Sequence, residues 1–253
     1  MAQERRTPPD YQKQPAVERS YRSRHSGDLQ AFRLARGESD LWVLSNRDVR
    51  KDVERLLALH RRQLKEYIHA HPLFAETLQP YPPDPEAPEL VQWMIAVTAQ
   101  VGVGPMAAVA GAVAGIVGRN IDPAVTELII ENGGDIYLRS SAERMIGIYA
   151  GESAFSMRIG LRIPAKPEGF GICTSAGTVG PSFSFGKADA TVICAPDAAL
   201  ADAAATAVGN LVTAPADLER AIGLAQGISN LRGAVVIKGD KMCAWGEIDF
   251  VAL

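Results

Sequence analysis

This sequence has few cysteines, little net charge, no unbroken hydrophobic run of membrane-spanning length and no familiar nucleophile motif. Each lack excludes something. The three cysteines, Cys173, Cys194 and Cys243, are odd in number, far apart and without Cys-x-x-Cys spacing. That pattern argues against a disulfide framework or a zinc or iron-sulfur site, and a reducing, cytoplasmic setting is the expectation. A formal net charge of -3 leaves no electrostatic footprint for nucleic acid, and RNP, zinc-finger and helix-turn-helix signatures are missing, so no nucleic-acid partner is expected. Gly-x-Ser-x-Gly does not occur and no His follows a Ser in hydrolase fashion, which argues against a serine nucleophile. The first residues carry no apolar stretch and no cysteine for a lipid, so neither a signal segment nor an anchor is expected. Residues 91–118 are apolar enough to test as a membrane span. Gln92, Gln100 and the break Gly102-Val103-Gly104-Pro105 divide them into two pieces better suited to buried core helices, and no membrane partner is expected.

What is present describes an ordinary globule: 47% hydrophobic and 22% charged residues in a chain of 253, enough to bury a sizeable core. Residues 1–27, with Pro8, Pro9, Pro15 and the basic series Arg5, Arg6, Lys13, Arg19, Arg22 and Arg24, read as a flexible arm, and 28–253 as a single domain. Strands are expected at 29–34 and 41–44, joined through Arg36-Gly37-Glu38-Ser39. Ser45-Asn46-Arg47-Asp48 resembles a capping box ahead of an amphipathic helix with apolar positions Val49, Val53, Leu56, Leu57, Leu64 and Ile68. His60, His69 and His71 have no metal-type partners at suitable spacing. The proline-rich stretch 80–88 is a stiff linker expected to cross the surface. Helices follow at 90–101 and 106–117. Strands are expected at 128–130, 136–138, 145–149 and, by strict alternation, 155–163. Strands that follow one another without intervening helices pair antiparallel, so the expected fold class is α+β. A strand at 190–194, helices at 197–210 and 215–228 and a closing hairpin from 234 to 251 complete the chain.

Four stretches carry candidate chemistry. Asn132-Gly133-Gly134-Asp135, between two apolar runs, is either a plain turn or a loop that brings backbone amides to a ligand. The glycines before Pro105, Gly104 among them, leave amides at a helix start as a candidate anion site. Residues 169–189, rich in glycine and hydroxyls, read as a structured loop with Thr174, Ser175, Thr178 and Ser184 as hydrogen-bond donors to a ligand. The helix at 197–210 is apolar on nearly all sides except at Asp202 and Thr206, which lie four residues apart on one face. A carboxylate so placed needs a cation or several hydrogen bonds. As hard oxygen ligands, Asp202 and Thr206 suit Mg²⁺; alternatively Asp202 accepts backbone amides and Thr206 bonds the carbonyl four residues back.

Three of these stretches resemble one family. Ile129-Ile130-Glu131-Asn132-Gly133-Gly134-Asp135-Ile136 looks like the "N-x-G-G-D-I" segment of the ApbE superfamily, Thr191 to Ala207 looks like its "V-I-A-x-x-A-x-x-A-D-A-x-x-T-A" segment, and Cys173-Thr174-Ser175-Ala176-Gly177 is similar to its "(A/T)-S-G" loop. ApbE proteins are Mg²⁺-dependent flavin transferases that cleave FAD and attach FMN through a phosphoester to a Thr or Ser of a target flavoprotein. The resemblance implies an α+β fold, antiparallel strands packed with long helices around a cleft for a phosphate-bearing flavin ligand. It implies Mg²⁺ on Asp202 and Thr206 and a ligand beside Asn132 to Asp135, with FAD as substrate and a flavoprotein as partner. Two motifs depart from the family pattern. "D-x-G-x-x-K-G" falls at Gln100 to Met106, without its Asp and Lys, and "H-x-x-D-P" falls near Gly180 to Gly186, without its His and Asp-Pro. These departures favour a second expectation, a ligand-binding protein that kept the fold and lost turnover. A third is a structural protein, a homo-oligomer with the Ala/Gly-rich helix at its subunit contact.

Overall fold

In a computed structural model the chain is described at Arg22, Gly27, 29–177 and 186–253. The remainder of the expected N-terminal arm, together with Thr178 and Ser184, lies outside the described residues. The strands are β1 (Gln30–Arg36), β2 (Ser39–Ser45), β3 (Leu128–Asn132), β4 (Asp135–Ser140), β5 (Arg144–Gly147), β6 (Ile159–Ile163), β7 (Lys166–Ser175), β8 (Ala190–Ala195), β9 (Gly233–Lys238), β10 (Lys241–Gly246) and β11 (Phe250–Ala252). The helices are α1 (Arg50–Ala70), α2 (Pro72–Glu76), α3 (Glu89–Val101), α4 (Val109–Arg119), α5 (Ala198–Gly209) and α6 (Leu218–Gly227).

Eight strands form one sheet in the order β1-β2-β3-β4-β7-β8-β9-β10, and β11-β6-β5 form a second. Every neighbouring pair is antiparallel, so the α+β class expected from successive strands holds. Alternation along the central strands sorts side chains between two cores. Val43, Leu128, Ile130, Tyr137, Cys173, Ile193 and Val236 face the helices. Leu44, Ile129, Leu138, Ile172, Val192, Cys194 and Val235 meet Leu161, Ile163 and Ile148 from the small-sheet side. The layers run helices, large sheet, small sheet, and the candidate residues lie between the first two.

Helix α5 is the inner helix, as its apolar sequence requires. Asp197 caps it, its Oδ1 accepting from Ala199 N at 2.9 Å and Leu200 N at 3.1 Å, while its Oδ2 accepts from Trp93 Nε1 at 2.9 Å. No single described helix is long and apolar enough to cross a membrane; α3 and the segment Pro105–Arg119 pass that test only together, across a bend of 101°.

Several sequence expectations are corrected. The stretch 169–189 is not loop from its start: residues up to Ser175 belong to β7, a central strand paired on both sides with β4 and β8. Its glycines misled because they serve packing. A Cβ on Gly171 would stand 2.5 Å from Ala198 Cα, so the missing side chain is what lets α5 lie on the strand. Only Ile159–Ile163 of the alternating run 155–163 is strand, and the run before it turns through Met157 with φ +53°. Ser45 to Asp48 form no capping box: α1 is preceded by Val49, with no side-chain cap, Ser45 Oγ accepts from Arg47 N, and Asp48 accepts from Arg50 N. The closing run 242–251 breaks at Gly246, φ +87°, and divides between β10 in the large sheet and β11 in the small one.

Candidate functional site

Asn132-Gly133-Gly134-Asp135 is the two-residue turn of the β3–β4 hairpin, with Asn132 paired to Asp135. Gly133 and Gly134 both take positive φ, +72° and +105°, the requirement of the tightest right-twisted hairpins and one that glycine meets without strain. The turn reading is therefore satisfied, and any site reading rests on the flanking side chains. Asn132 is held within the protein: its Nδ2 donates to the Ala110 carbonyl at 3.2 Å and its Oδ1 accepts from Asp40 N at 3.4 Å. Glu131 Oε1 accepts from Gly134 N at 2.8 Å. Asp135, buried on the helix side, accepts from Thr174 N at 3.2 Å, which ties the hairpin to the end of β7.

Asp202 reaches the same place from α5. Its Oδ2 accepts from Gly111 N at 2.8 Å, and the Ala110 amide bonds the same carboxylate. A Cβ on Gly111 would lie 2.4 Å from the Ala198 carbonyl and 2.7 Å from Asp202 Cβ; the absent side chain admits the close approach of α4 to α5. Helix α4 starts at Val109 rather than 106, after a 3-10 turn Pro105–Ala108. The first-turn amides expected to face an anion face Asp202 instead, a favourable position for a carboxylate. Gly104 serves a different contact, since a Cβ there would stand 2.0 Å from the Thr77 carbonyl oxygen.

The electrostatics are set by two buried carboxylates without a cation. Burial, then the charge of Asp202, pushes Asp135 well above the ordinary carboxylate range, against the opposing bond from Thr174. Burial raises Asp202 to about 7, against the bonds from Gly111 and Ala110. The Cys173 thiol, which donates to the Ala198 carbonyl at 3.3 Å, is raised by burial and then by both aspartates. No basic side chain among the described residues pairs with Asp135 or Asp202. Two neighbouring carboxylates in that condition either hold a proton or take a cation.

Asp135 and Asp202 offer hard carboxylate oxygens, the donor type that divalent ions such as Mg²⁺ take. Among the described residues no group of three or more His, Cys, Asp or Glu is arranged to hold a metal. A cation here would therefore draw on Asp202, the half-buried Thr206 one helical turn on, and further oxygens from carbonyls, water or ligand, the manner in which Mg²⁺ is commonly held.

Farther along the same face of α5, Gly209 lies seven residues beyond Asp202. A Cβ on it would stand 3.1 Å from Thr191 Oγ1 and 3.7 Å from Ser175 Oγ, and Ser175 and Thr191 are direct neighbours across β7 and β8. The Thr191 hydroxyl is fully buried and without a partner. Thus the structure brings Asp135, Ser175 and Asp202 to the helix side of the sheet, with Thr206 four residues beyond Asp202 on α5, whereas Thr174, expected as a hydroxyl donor, contributes its backbone N–H and shares the opposite strand face with Ile172. Sequence reasoning passed over Cys173, Thr191, Glu131 and Gly111. The signal for the first three was available: each is a polar or thiol residue inside an apolar strand.

The family model described as "AbpE bacteria" matches residues 22–236. A UPF0280 protein from Methanococcoides burtonii is 44% identical over 194 residues, covering 76% of this chain and 81% of that protein. Another from Methanocella arvoryzae is 43% identical over 189 residues, 74% of this chain and 77% of the relative. Among solved structures, the apo form of flavinyl transferase ApbE from Pseudomonas stutzeri superposes with a TM-score of 0.56 at 13% identity, over 86% of this chain and 94% of that one, a likeness of fold. The motif resemblance, the layered antiparallel fold and the match over most of the chain agree: this chain belongs to the AbpE bacteria family and is a member of the ApbE-like superfamily.

Proposed function

We propose that the chain binds a phosphate-bearing ligand of the flavin or nucleotide class, FAD first among them, together with Mg²⁺ at Asp202 and Thr206, and acts on its diphosphate. The observation that carries this reading is the buried, cation-free pair Asp135 and Asp202 beside a half-buried threonine. When bound, Mg²⁺ supplies neutralisation of the diphosphate and of charge that develops on a transferring phosphoryl group. The chain's own residues do the rest. Asp135 holds the hairpin against Thr174, so the end of β7 and the Gly133–Gly134 turn keep one spacing. Ser175 offers a hydroxyl at the same strand end. Transfer of FMN to a target flavoprotein, or hydrolysis of FAD, are the reactions this reading entails, in a cytoplasmic setting that the three free thiols support.

The test is direct. Purified protein is mixed with FAD, with and without Mg²⁺, and AMP release and flavin fluorescence are followed. Mg²⁺-dependent AMP release that is lost in Asp202→Ala is the expected result; no binding and no AMP under either condition removes the flavin reading.

A second reading, binding without turnover, is favoured by Gln100 to Met106, where the family's Asp and Lys are replaced. In the structure this stretch ends α3 at Gly102, φ +74°, and packs Gly104 on Thr77, with no basic side chain of its own. It predicts retained FAD, Mg²⁺-dependent, with no AMP.

A further inference from the structure

Glu131 differs from the two aspartates beside it in having a cation. Arg22, 109 residues earlier in the chain, donates from Nε to Glu131 Oε2 at 2.6 Å, and its Nη2 stands 2.6 Å from the same oxygen. The rest of the guanidinium is held by β2: Nη2 donates to the Asp40 carbonyl at 2.8 Å, and Nη1 lies 3.1 Å from Asp40 Oδ1. With a side chain only 9% exposed, this arginine is a fixed part of the fold. Its planar fork suits two acceptors at once in a way that a lysine would not.

The other oxygen of Glu131 accepts the Gly134 amide at 2.8 Å. Bonds therefore run without a gap from Arg22 through one carboxylate to the turn. That carboxylate is the direct hold on Gly134, whose φ of +105° belongs to the most permissive residue and is not fixed by its own sterics. A glutamate side chain has three rotatable bonds, and the guanidinium helps to fix them here. Asp40 adds a second tie, its backbone N–H reaching Asn132 Oδ1 at 3.4 Å. Arg22 thus grips β2 at Asp40 and β3 at Glu131, just ahead of the turn.

We propose that Arg22 is a positioning residue for the Gly133–Gly134 loop, acting through Glu131. The inference rests on the reading of that loop as one wall of the ligand site. Arg22 has a second effect there: it offsets the acid nearest the turn, where an anionic ligand would otherwise meet Glu131 as well as Asp135 and Asp202.

Amide hydrogen exchange in the ligand-free protein tests this without any assumption about the ligand. Arg22→Ala is expected to speed exchange at Gly134 by about tenfold or more, with Val192 in the central sheet unchanged and Arg22→Lys restoring part of the protection. Glu131→Gln keeps an acceptor for Gly134 and serves if Arg22→Ala folds poorly; it is expected to give a smaller rise at the same amide. Exchange at Gly134 that is unchanged in both variants, or that rises equally at Val192, overturns the proposal. In parallel, FAD affinity with Mg²⁺ is expected to weaken at least about fivefold in Arg22→Ala at an unchanged unfolding midpoint. Unaltered affinity in a variant with fast Gly134 exchange overturns the link to the ligand. Failure of the wild-type protein to bind FAD overturns the flavin reading alone, because exchange still decides the role of Arg22.

Discussion

Replacing Asp202 with asparagine separates a strained carboxylate from an ordinary hydrogen-bond acceptor. In the fold this group sits at about 7 against an ordinary 3.8, because burial disfavours its charge more than the amides of Gly111 and Ala110 favour it. A carboxyl raised on folding binds more protons folded than unfolded. Stability is therefore greatest below the unfolded value, falls as pH rises from about 4, and levels off once the folded group has ionised near 7. The full span corresponds to an upper value of about 4 kcal/mol, and Asp135, raised in the same direction, adds to the slope.

Asparagine keeps an oxygen for Gly111 N and removes the charge. In metal-free buffer with a chelator, Asp202→Asn is expected to match the wild type to within about 1 kcal/mol at pH 4 and to exceed it by roughly 1–4 kcal/mol at pH 8.5, as read by urea unfolding. Millimolar Mg²⁺ is expected to raise the wild-type midpoint at pH 8.5 and leave the variant unmoved, because a cation that binds only the folded state stabilises by mass action. If the variant is destabilised equally at both pH values, Asp202 is an ionised structural acceptor and the reasoning from buried charge fails.

Gly111→Ala forces a methyl to within 2.4 Å of the Ala198 carbonyl and is expected to cost about 1–3 kcal/mol, checked by thermal unfolding. Thr206→Val, at a half-buried position, is expected to change stability by less than about 1 kcal/mol while weakening Mg²⁺-dependent FAD binding, measured by calorimetry. Glu127 gives a pH signature of opposite sign. Burial opposes its charge, but bonds from Ser140, Ser141 and Arg144 outweigh burial and hold the carboxyl near 2. Its contribution is present above the ordinary 4.5 and is lost as pH falls toward 2. Glu127→Gln is accordingly expected to flatten the acid limb of the stability profile, followed by circular dichroism from pH 6 to 2.

The fold was legible where period and length agreed. The apolar spacing from Val53 to Leu64 gave α1, and the uniform apolarity of 197–210 gave a buried helix, which α5 is, every residue but Thr206 being buried. It was least legible where glycine and hydroxyls serve packing. Gly169 and Gly171 look like loop residues, yet each stands where a Cβ would strike a neighbour, Tyr137 or Ala198. Nothing local distinguishes a glycine that bends a chain from one that makes room for another element; only the partner, 27 residues away at Ala198, decides it. The same limit hid the capping failure at Ser45. Its hydroxyl is turned to Arg47 N because the residue ends a strand already paired with β1 and β3.

The candidate site shows the same division in a sharper form. A single buried Asp on an apolar helix admitted two readings, cation ligand or acceptor of backbone amides, and the structure gives Asp202 the second while leaving the first open through Asp135. One helix N-terminus supplies two N–H groups to one carboxylate, which offsets part of one charge. It does nothing for the second carboxylate, which is held by the Thr174 amide and the Cys173 thiol from β7. Desolvation then acts on both, the charge of Asp202 acts on Asp135 as well, and these few neutral donors do not balance two buried negative charges. The pair therefore favours keeping a proton, which a cation bound there would displace. Spacing along α5 could reveal Asp202 and Thr206 to the sequence; the excess of charge could not be seen until β4 brought Asp135 to face them.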